Sequence, residues 1–321
     1  MKSTQFRSSA IAIALAALSQ GVFAQGVSIY GLVDLGIAKL SGKPVEMTNY
    51  RTSRLGFKGG EDLGGGLKAQ FQLEAEVMAD SGNTAAAFWE RQSWVGLADD
   101  KWGAVRLGQT RSLYDDLSDH IDPFANDGIV GNFNKKAWRV DVAKSRVSNA
   151  IQYASPKWYG LRVRGQLSLS EIDGGHNGTG LSVVYENGGI TAIAALDRPV
   201  VTKVGDPQPS AWLIGGRYQT GPFTFGLSHN QGDSHDKTAV KGATAEESKG
   251  DTAGFEWAYG AGVVKASYAR LDTNVKDKSS VKVLGLGYEY ALSKRTTLYT
   301  AVVKEDVSDV SGFSAGITHR F

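Results

Sequence analysis

The 321-residue sequence predicts an all-β chain, a transmembrane antiparallel β-barrel of about 16 strands, and three observations carry that prediction. Apolar and polar residues alternate with a period of two in segments long enough to cross a bilayer at a tilt. Short turns rich in glycine and aspartate take turns with long polar connections. Beyond the first two dozen residues, no stretch is apolar for the roughly 18 residues a membrane helix needs.

"MKSTQFRSSAIAIALAALSQGVFAQ" places Lys2 and Arg7 before an apolar run from about Ala10 to Leu18, then small residues up to Ala24. That three-part layout predicts a secretory signal peptide over 1–24, leaving 25–321 as one barrel domain. A transmembrane anchor is the competing reading, and the run is too short for roughly 30 Å of hydrocarbon. The peptide holds two of the 35 Lys and Arg and none of the 33 Asp and Glu, so the mature chain carries no net charge. Nothing global favours nucleic acid, and local charge placement must carry any electrostatic argument. Cysteine is absent, which excludes disulfide staples and thiolate metal sites. Forty glycines, 7 prolines, 7 Trp, 12 Tyr, 12 Phe and a mean hydropathy of −0.23 are unusual for a globular enzyme.

The strands follow in order. The first is "VSIYGLVDLGIAKL" (27–40), then come 54–61, 66–77, 90–99, 103–111, 149–156, 160–170 and 180–187. The second half gives 190–198, 211–220, 222–230, 252–260, 263–272, 282–292, 296–306 and 312–321. In "GLKAQFQLEAEV", Leu67, Ala69, Phe71, Leu73, Ala75 and Val77 form the apolar face. Short turns such as "GG" (188–189) and "SK" (293–294) alternate with long connections such as 41–53, 78–89, 112–148 and 231–251. Short turns on one side and long loops on the other describe an outer-membrane barrel, since lipid tolerates no open sheet edge.

An even-numbered barrel closes when its last strand meets its first, so "GFSAGITHRF" is expected to pair with "VSIYGLVDL". His319 then falls on the apolar face, where an interfacial position tolerates a half-polar ring. Tyr30, Trp94, Trp102, Trp158, Tyr159, Tyr185, Trp212, Trp257, Tyr288 and Tyr299 lie near strand ends, as interfacial girdles require. Carbohydrate stacking in a secreted lectin is the other reading of these rings.

The longest connection, 112–148, divides by charge. Asp115, Asp116, Asp119, Asp122 and Asp127 occupy its first half; Lys135, Lys136, Arg139, Lys144 and Arg146 its second. Pro123 predicts a short helical turn followed by an extended segment. On the wall, Leu55 and Phe57 facing lipid turn Arg54 and Lys58 inward, and Val105 and Leu107 do the same for Arg106. Arg162 and Arg164 share a face opposite Leu161 and Val163. Alternation from Val95 and Leu97 sends Arg91 outward unless a bulge intervenes.

Taken in order, "VSIYGLVDLGIA", "SRLGFKGGEDLGGGLKAQFQLE", "RQSWVGLADDKWGAVRLGQ", "SNAIQYASP", "GLGYEYALSKRTTLYTAVV" and "HRF" resemble the general porins of the Gram-negative outer membrane, of the neisserial and β-proteobacterial type. The resemblance spans essentially the whole mature chain. It implies a sixteen-stranded trimeric barrel passing small hydrophilic solutes by diffusion, with the third long loop folded inward as a constriction loop. It implies that Arg54, Arg91 and Arg146 are constriction arginines, and that Phe321 belongs to the signal read by the barrel-assembly machinery. His319 stands where the family's usual aromatic sits, third from the end.

Folded inward, the loop brings Asp115, Asp116, Asp119 and Asp122 to face a basic wall of Arg54, Lys58, Arg91, Arg106 and Arg146. Two unit charges about 10 Å apart in water interact by only about 0.4 kcal/mol. Several in a low-dielectric wall bias small ions without trapping them. The expected function is a passive channel with mild anion preference, in contact with lipid and lipopolysaccharide, passing small anionic or neutral solutes. A channel selective for organic anions, and a surface barrel whose loop 231–251 serves adhesion or receptor binding, are the alternatives.

Enzymatic readings fail on missing parts. "GGEDLGGG" lacks the Gly-Lys-Ser/Thr ending of a phosphate loop and lies between strands. The five histidines show no metal-ligand spacing, and Ser228 and His229 fall on opposite faces of one strand. The glycosylation triplet "NGT" (177–179) has no meaning on a bacterial barrel loop. Neither cofactor nor metal is expected.

Overall fold

The computed structural model describes residues 26–138, 145–234, 246–273 and 280–321, with only the backbone at 136–138, 234 and 246. The expected signal peptide (1–24), Arg139, Lys144, the Lys136 side chain and most of loop 231–251 lie outside the described residues.

The described residues are β throughout, apart from one inward loop. Its strands are β1 (Ser28–Leu40), β2 (Val45–Thr48), β3 (Arg54–Gly64), β4 (Leu67–Met78), β5 (Asn83–Thr84) and β6 (Gln92–Asp99). Then come β7 (Gly103–Arg111), β8 (Arg146–Ala154), β9 (Leu161–Ser168), β10 (Gly178–Asn187), β11 (Ile190–Arg198) and β12 (Ala211–Thr220). The last six are β13 (Phe223–Ser234), β14 (Glu246–Tyr259), β15 (Gly262–Thr273), β16 (Val281–Ala291), β17 (Thr296–Glu305) and β18 (Val310–Arg320). The short β2 and β5 belong to loops, so sixteen strands form the wall, each antiparallel to its neighbours.

Closure is staggered. β18 pairs with the second part of β1, from Leu32 opposite Arg320 to Leu40 opposite Gly312. The start of β1 pairs with β3, from Ser28 opposite Lys58 to Leu32 opposite Arg54. Sequence placed the closing contact on 27–35; it runs further along because β3 already occupies the first residues of β1. Such a stagger is what tilts strands in a closed barrel. Gly31 and Phe321 exchange two backbone hydrogen bonds of 3.2 and 3.1 Å beyond the last register pair.

Short turns and long connections alternate around the ring. Between β10 and β11 only two residues intervene, and Gly188 at φ +59° supplies the left-handed conformation such a hairpin needs. The outer face carries exposed Val33, Ile37, Leu107, Leu181, Leu196, Ile214, Leu227, Leu284, Val302 and Ile317. An apolar belt this continuous requires a lipid neighbour.

Of the ten rings expected at the interfaces, Trp102, Trp158, Tyr159, Tyr185, Trp257 and Tyr288 are exposed on the outside. Trp212 lies 5.3 Å from the ring of His229. Tyr30, Trp94 and Tyr299 depart from that expectation. Each sits at an inward-facing position and meets a polar or charged group inside the barrel. His319 faces out as expected, its Nδ1 2.9 Å from the Thr296 hydroxyl.

The packed core lies inside the wall. The chain between β7 and β8 forms helices α1 (Leu113–Ser118) and α2 (Gly128–Trp138). Tyr114, Leu117 and Ile121 bury against Val184, Ile193, Ala195, Ala211 and Leu213 of β10–β12. Phe124, Ile129 and Val130 bury against Ala38, Tyr50, Ala269, Val283, Tyr299, Ala301 and Val303 on the other side. The loop is therefore anchored at two places by apolar contact, and the extended segment expected after Pro123 is replaced by α2. Gly128, at φ +67°, makes the restart possible: a Cβ there would lie 2.4 Å from the Tyr50 ring.

Candidate functional site: a charged constriction inside the barrel

The inward loop leaves the wall between two arginines. Arg111 ends β7, Arg146 begins β8, and the two are opposite each other in register. Ser112 caps α1, its hydroxyl accepting from the Asp115 amide at 3.1 Å, and its own amide donates to the Ser145 carbonyl. The first turn of α1 thus delivers its acids to the arginines beside it, a charge sign that also suits a helix N-terminus.

Arg111 is the hub. Its Nε donates to Asp115 at 2.6 Å, one Nη donates to Asp119, and the other donates to the Asp115 carbonyl at 2.9 Å. Arg146 lies 3.9 Å from the same Asp115 carboxylate. Asp116 reaches the next strand, accepting from Arg164 at 2.6 Å, while Arg164 also donates to the Ser182 hydroxyl at 3.1 Å. Asp119 accepts in addition from Asn126 at 2.8 Å.

Asp122 departs from expectation. Its carboxylate turns away from the channel, accepting from the amides of Phe124 and Asn126 at 3.1 and 3.0 Å and from the Asn134 side chain at 3.1 Å. The turn around Pro123 would otherwise bury unpaired N–H groups, so this carboxylate is structural. Burial pushes its pKa up to about 6, against those three donors.

The second group of cations centres on Glu74. Arg91 donates to it at 2.7 Å and lies 3.6 Å from Glu76; Arg54 is 4.0 Å from the same Glu74. Arg91 therefore points inward, contrary to the parity of Val95 and Leu97. It precedes β6 by one residue, so the strand's alternation does not bind it. Arg54, Arg91, Arg146 and Arg111 follow one another within electrostatic reach.

Lys58 and Arg106 face inward as alternation predicts, and both rest on aromatic rings. The Lys58 ammonium lies 5.0 Å from the Tyr30 ring centroid, and the Arg106 guanidinium 4.3 Å from that of Trp94. Neither they nor Arg162 makes an ion pair within 4 Å among the described residues. Arg162 and Arg164 are both close enough to repel Arg106.

Sequence reasoning missed Arg111, and it missed the opposite wall. There Arg51 and Lys265 share Glu289 at 3.5 and 2.5 Å. Buried Asp34 accepts from the Tyr50 amide at 2.7 Å and the Tyr299 hydroxyl at 2.9 Å, fixing the first long loop to the wall. Also missed was a bed of wall glycines beneath the inward loop. A Cβ on Gly254 would lie 2.6 Å from Pro123, and one on Gly285 2.1 Å from Val130. Their parity marks them as inward positions without side chains, the only signal the sequence holds.

A channel-lining arrangement of this kind can orient and bias small ions, with no nucleophile–base pair in it. The family profile described as "Gram-negative porin" matches residues 9–309. Outer membrane porin protein 32 of Delftia acidovorans is 29% identical, over 91% of this chain and 88% of its own length. The major outer membrane protein P.IA of Neisseria meningitidis serogroup B (strain MC58) is 26% identical, over 84% and 81%. The solved anion-selective porin from Comamonas acidovorans superposes with a TM-score of 0.78 at 27% identity, covering 92% of this chain and all of that one.

Proposed function

This chain belongs to the Gram-negative porin family and is an outer-membrane porin channel, and from that premise we propose passive diffusion of small hydrophilic solutes and ions with a mild preference for anions. One observation carries the preference. The carboxylates of α1 are engaged by Arg111 and Arg164, whereas Lys58, Arg106 and Arg162 have no ion pair within 4 Å among the described residues. Cations held over ring faces keep their full charge toward the lumen. The relative from Comamonas acidovorans is described as anion-selective, which supports the same sign.

The basic wall is Arg54, Lys58, Arg91, Arg106 and Arg146; Asp115, Asp116 and Asp119 are the loop carboxylates that set how much of that charge is felt. The pairing of Lys58 with Tyr30 and Arg106 with Trp94 favours a second reading, selectivity for small organic anions with a flat apolar part. Family membership supports a homotrimer, contact with lipopolysaccharide and recognition of Phe321 by the barrel-assembly machinery; it gives no support to an enzymatic role. Single-channel recording in potassium chloride tests the reading. Ohmic conductance with chloride the more permeant ion supports diffusion. Block by millimolar benzoate, with chloride current otherwise small, supports the second reading.

A further inference from the structure

The seam where the last strand meets the first holds a carboxylate shut away from water. Asp34 is fully buried and faces Thr318 across the β1–β18 ladder. On its other side β1 lacks a strand partner at 33–35, because pairing with β3 stops at Leu32 and pairing with β2 starts at Gly36. The Ser53 hydroxyl fills that gap, accepting from the Asp34 amide at 2.9 Å and donating to its carbonyl at 3.2 Å.

Three donors converge on the carboxylate, each from a different part of the chain. The Thr318 hydroxyl comes from β18, the Tyr299 hydroxyl from β17 at 2.9 Å, and the Tyr50 amide from the first long loop at 2.7 Å. All three are neutral, and no cation lies within 4 Å of Asp34 among the described residues. A buried carboxylate held only by neutral donors depends on every one of them.

Tyr299 reaches Asp34 by crossing the seam. Its phenol lies over Gly316, its register partner on β18, and over Gly36, which faces Gly316 from β1. A Cβ on Gly36 would lie 2.6 Å from the Tyr299 hydroxyl, so the path needs a position without a side chain. β17 is thereby pinned to β1 across the intervening β18. Tyr50 carries the path on to the inward loop. Its ring stacks on Tyr299 at 4.7 Å and meets Phe124 edge-on at 6.5 Å.

We propose that Asp34 is a clasp that couples closure of the barrel to seating of the inward loop, so that the last strand stays firmly on the first only while the loop is folded in. Lifting the loop frees the Tyr50 ring and, with it, the Tyr50 amide. A carboxylate short of a donor then favours a parted seam, where water reaches it. Parting the seam removes Thr318 and loosens Tyr50 in turn, and linkage makes the effect equal in both directions. The clasp is independent of the ion preference of the channel.

Amide hydrogen exchange of the full chain refolded in detergent, read by mass spectrometry, tests the coupling, since ladder amides exchange only when their hydrogen bonds open. Asp34→Ala strips three donors of their acceptor and risks blocking closure altogether. The test therefore uses Phe124→Ala, which perturbs the loop, and Tyr299→Phe, which keeps the ring over its glycines and loses only the hydroxyl. Phe124→Ala is expected to speed exchange at 312–320 by about tenfold, within the usual range for coupled sites, and to leave 190–198 unchanged. Tyr299→Phe is expected to speed exchange at 124–131. Combined, the two changes should cost the seam less than the sum of their separate effects, because they break one path. A seam indifferent to Phe124→Ala would overturn the proposal. So would equal speeding at 312–320 and 190–198, or strict additivity of the two changes.

Discussion

Arg111 and Arg146 face each other across the β7–β8 ladder, and one carboxylate, Asp115, lies 2.6 Å from the first and 3.9 Å from the second. The residues that open and close the inward loop are thus tied by the loop's own first turn. Removing that carboxylate leaves two neighbouring guanidiniums without their shared partner. Asp115→Ala is expected to destabilise the folded barrel by about 1–3 kcal/mol, the usual cost of a lost charge-assisted hydrogen bond with a half-buried partner left behind. Urea-dependent refolding in detergent measures it, and an unchanged midpoint would show that the clamp contributes nothing.

Under the proposed function, the unpaired cations set the sign of selectivity. Lys58→Ser, Arg106→Ser and Arg162→Ser together are expected to move the reversal potential in a salt gradient toward cation preference. Arg54→Ser with Arg91→Ser moves it the same way, with an added loss of stability because Glu74 keeps the Tyr30 hydroxyl but loses both guanidinium partners. A triple variant that reads the same as wild type would reject the lining assignment.

The glycine bed fixes how far the loop intrudes. A side chain at Gly254 or Gly285 meets Pro123 or Val130 well inside contact distance, so the loop must lift. Gly254→Val and Gly285→Val are each expected to alter single-channel conductance, with an increase where the loop leaves the narrowest section. Both variants keep the charge, so selectivity per ion should change less than conductance. Identical conductance in both would mean the loop does not define the narrowest section.

Asp122 gives the loop a pH dependence. Its folded pKa is about 6, raised by burial above the 3.8 of a free carboxyl. The folded loop therefore holds a proton more tightly than the unfolded chain. Its stability rises as pH falls from above about 6 toward about 4, and is constant beyond either limit. Buried Asp127 is shifted in the same direction. Amide exchange at Phe124 and Asn126, corrected for intrinsic rates, should slow on going from pH 7.5 to pH 5, and Asp122→Asn should flatten that response. Faster corrected exchange at pH 5 would contradict the sign.

Much of the wall was legible because period-two lettering depends only on lipid outside and water inside. Residues 190–198 and 211–220 are strands with those bounds. β14 begins at Glu246 instead of 252, because paired strands rise beyond the lipid boundary where lettering no longer matters. Val184, Ile193, Leu213, Val283 and Val303 break the lettering: they are inward and apolar because the loop, not water, covers them. Sequence cannot tell an apolar residue that meets lipid from one that meets a folded-in helix. Arg111 was hidden by an irregularity at the loop's root: from Gly108 to Thr110 β7 advances two residues while β8 advances three, from Ala150 to Val147, and this extra residue on β8 sets Arg146 opposite Arg111. Asp122 looked like its acidic neighbours, and only the turn around Pro123 distinguishes it.

The proposed function requires an aqueous hole whose unpaired positive charge biases what passes. The reversal potential of single channels of the refolded protein, recorded across a tenfold potassium chloride gradient, tests it most directly. A stable open channel with a potential on the chloride side of zero is the predicted result; a potential on the potassium side, or a folded barrel that never conducts, would contradict it.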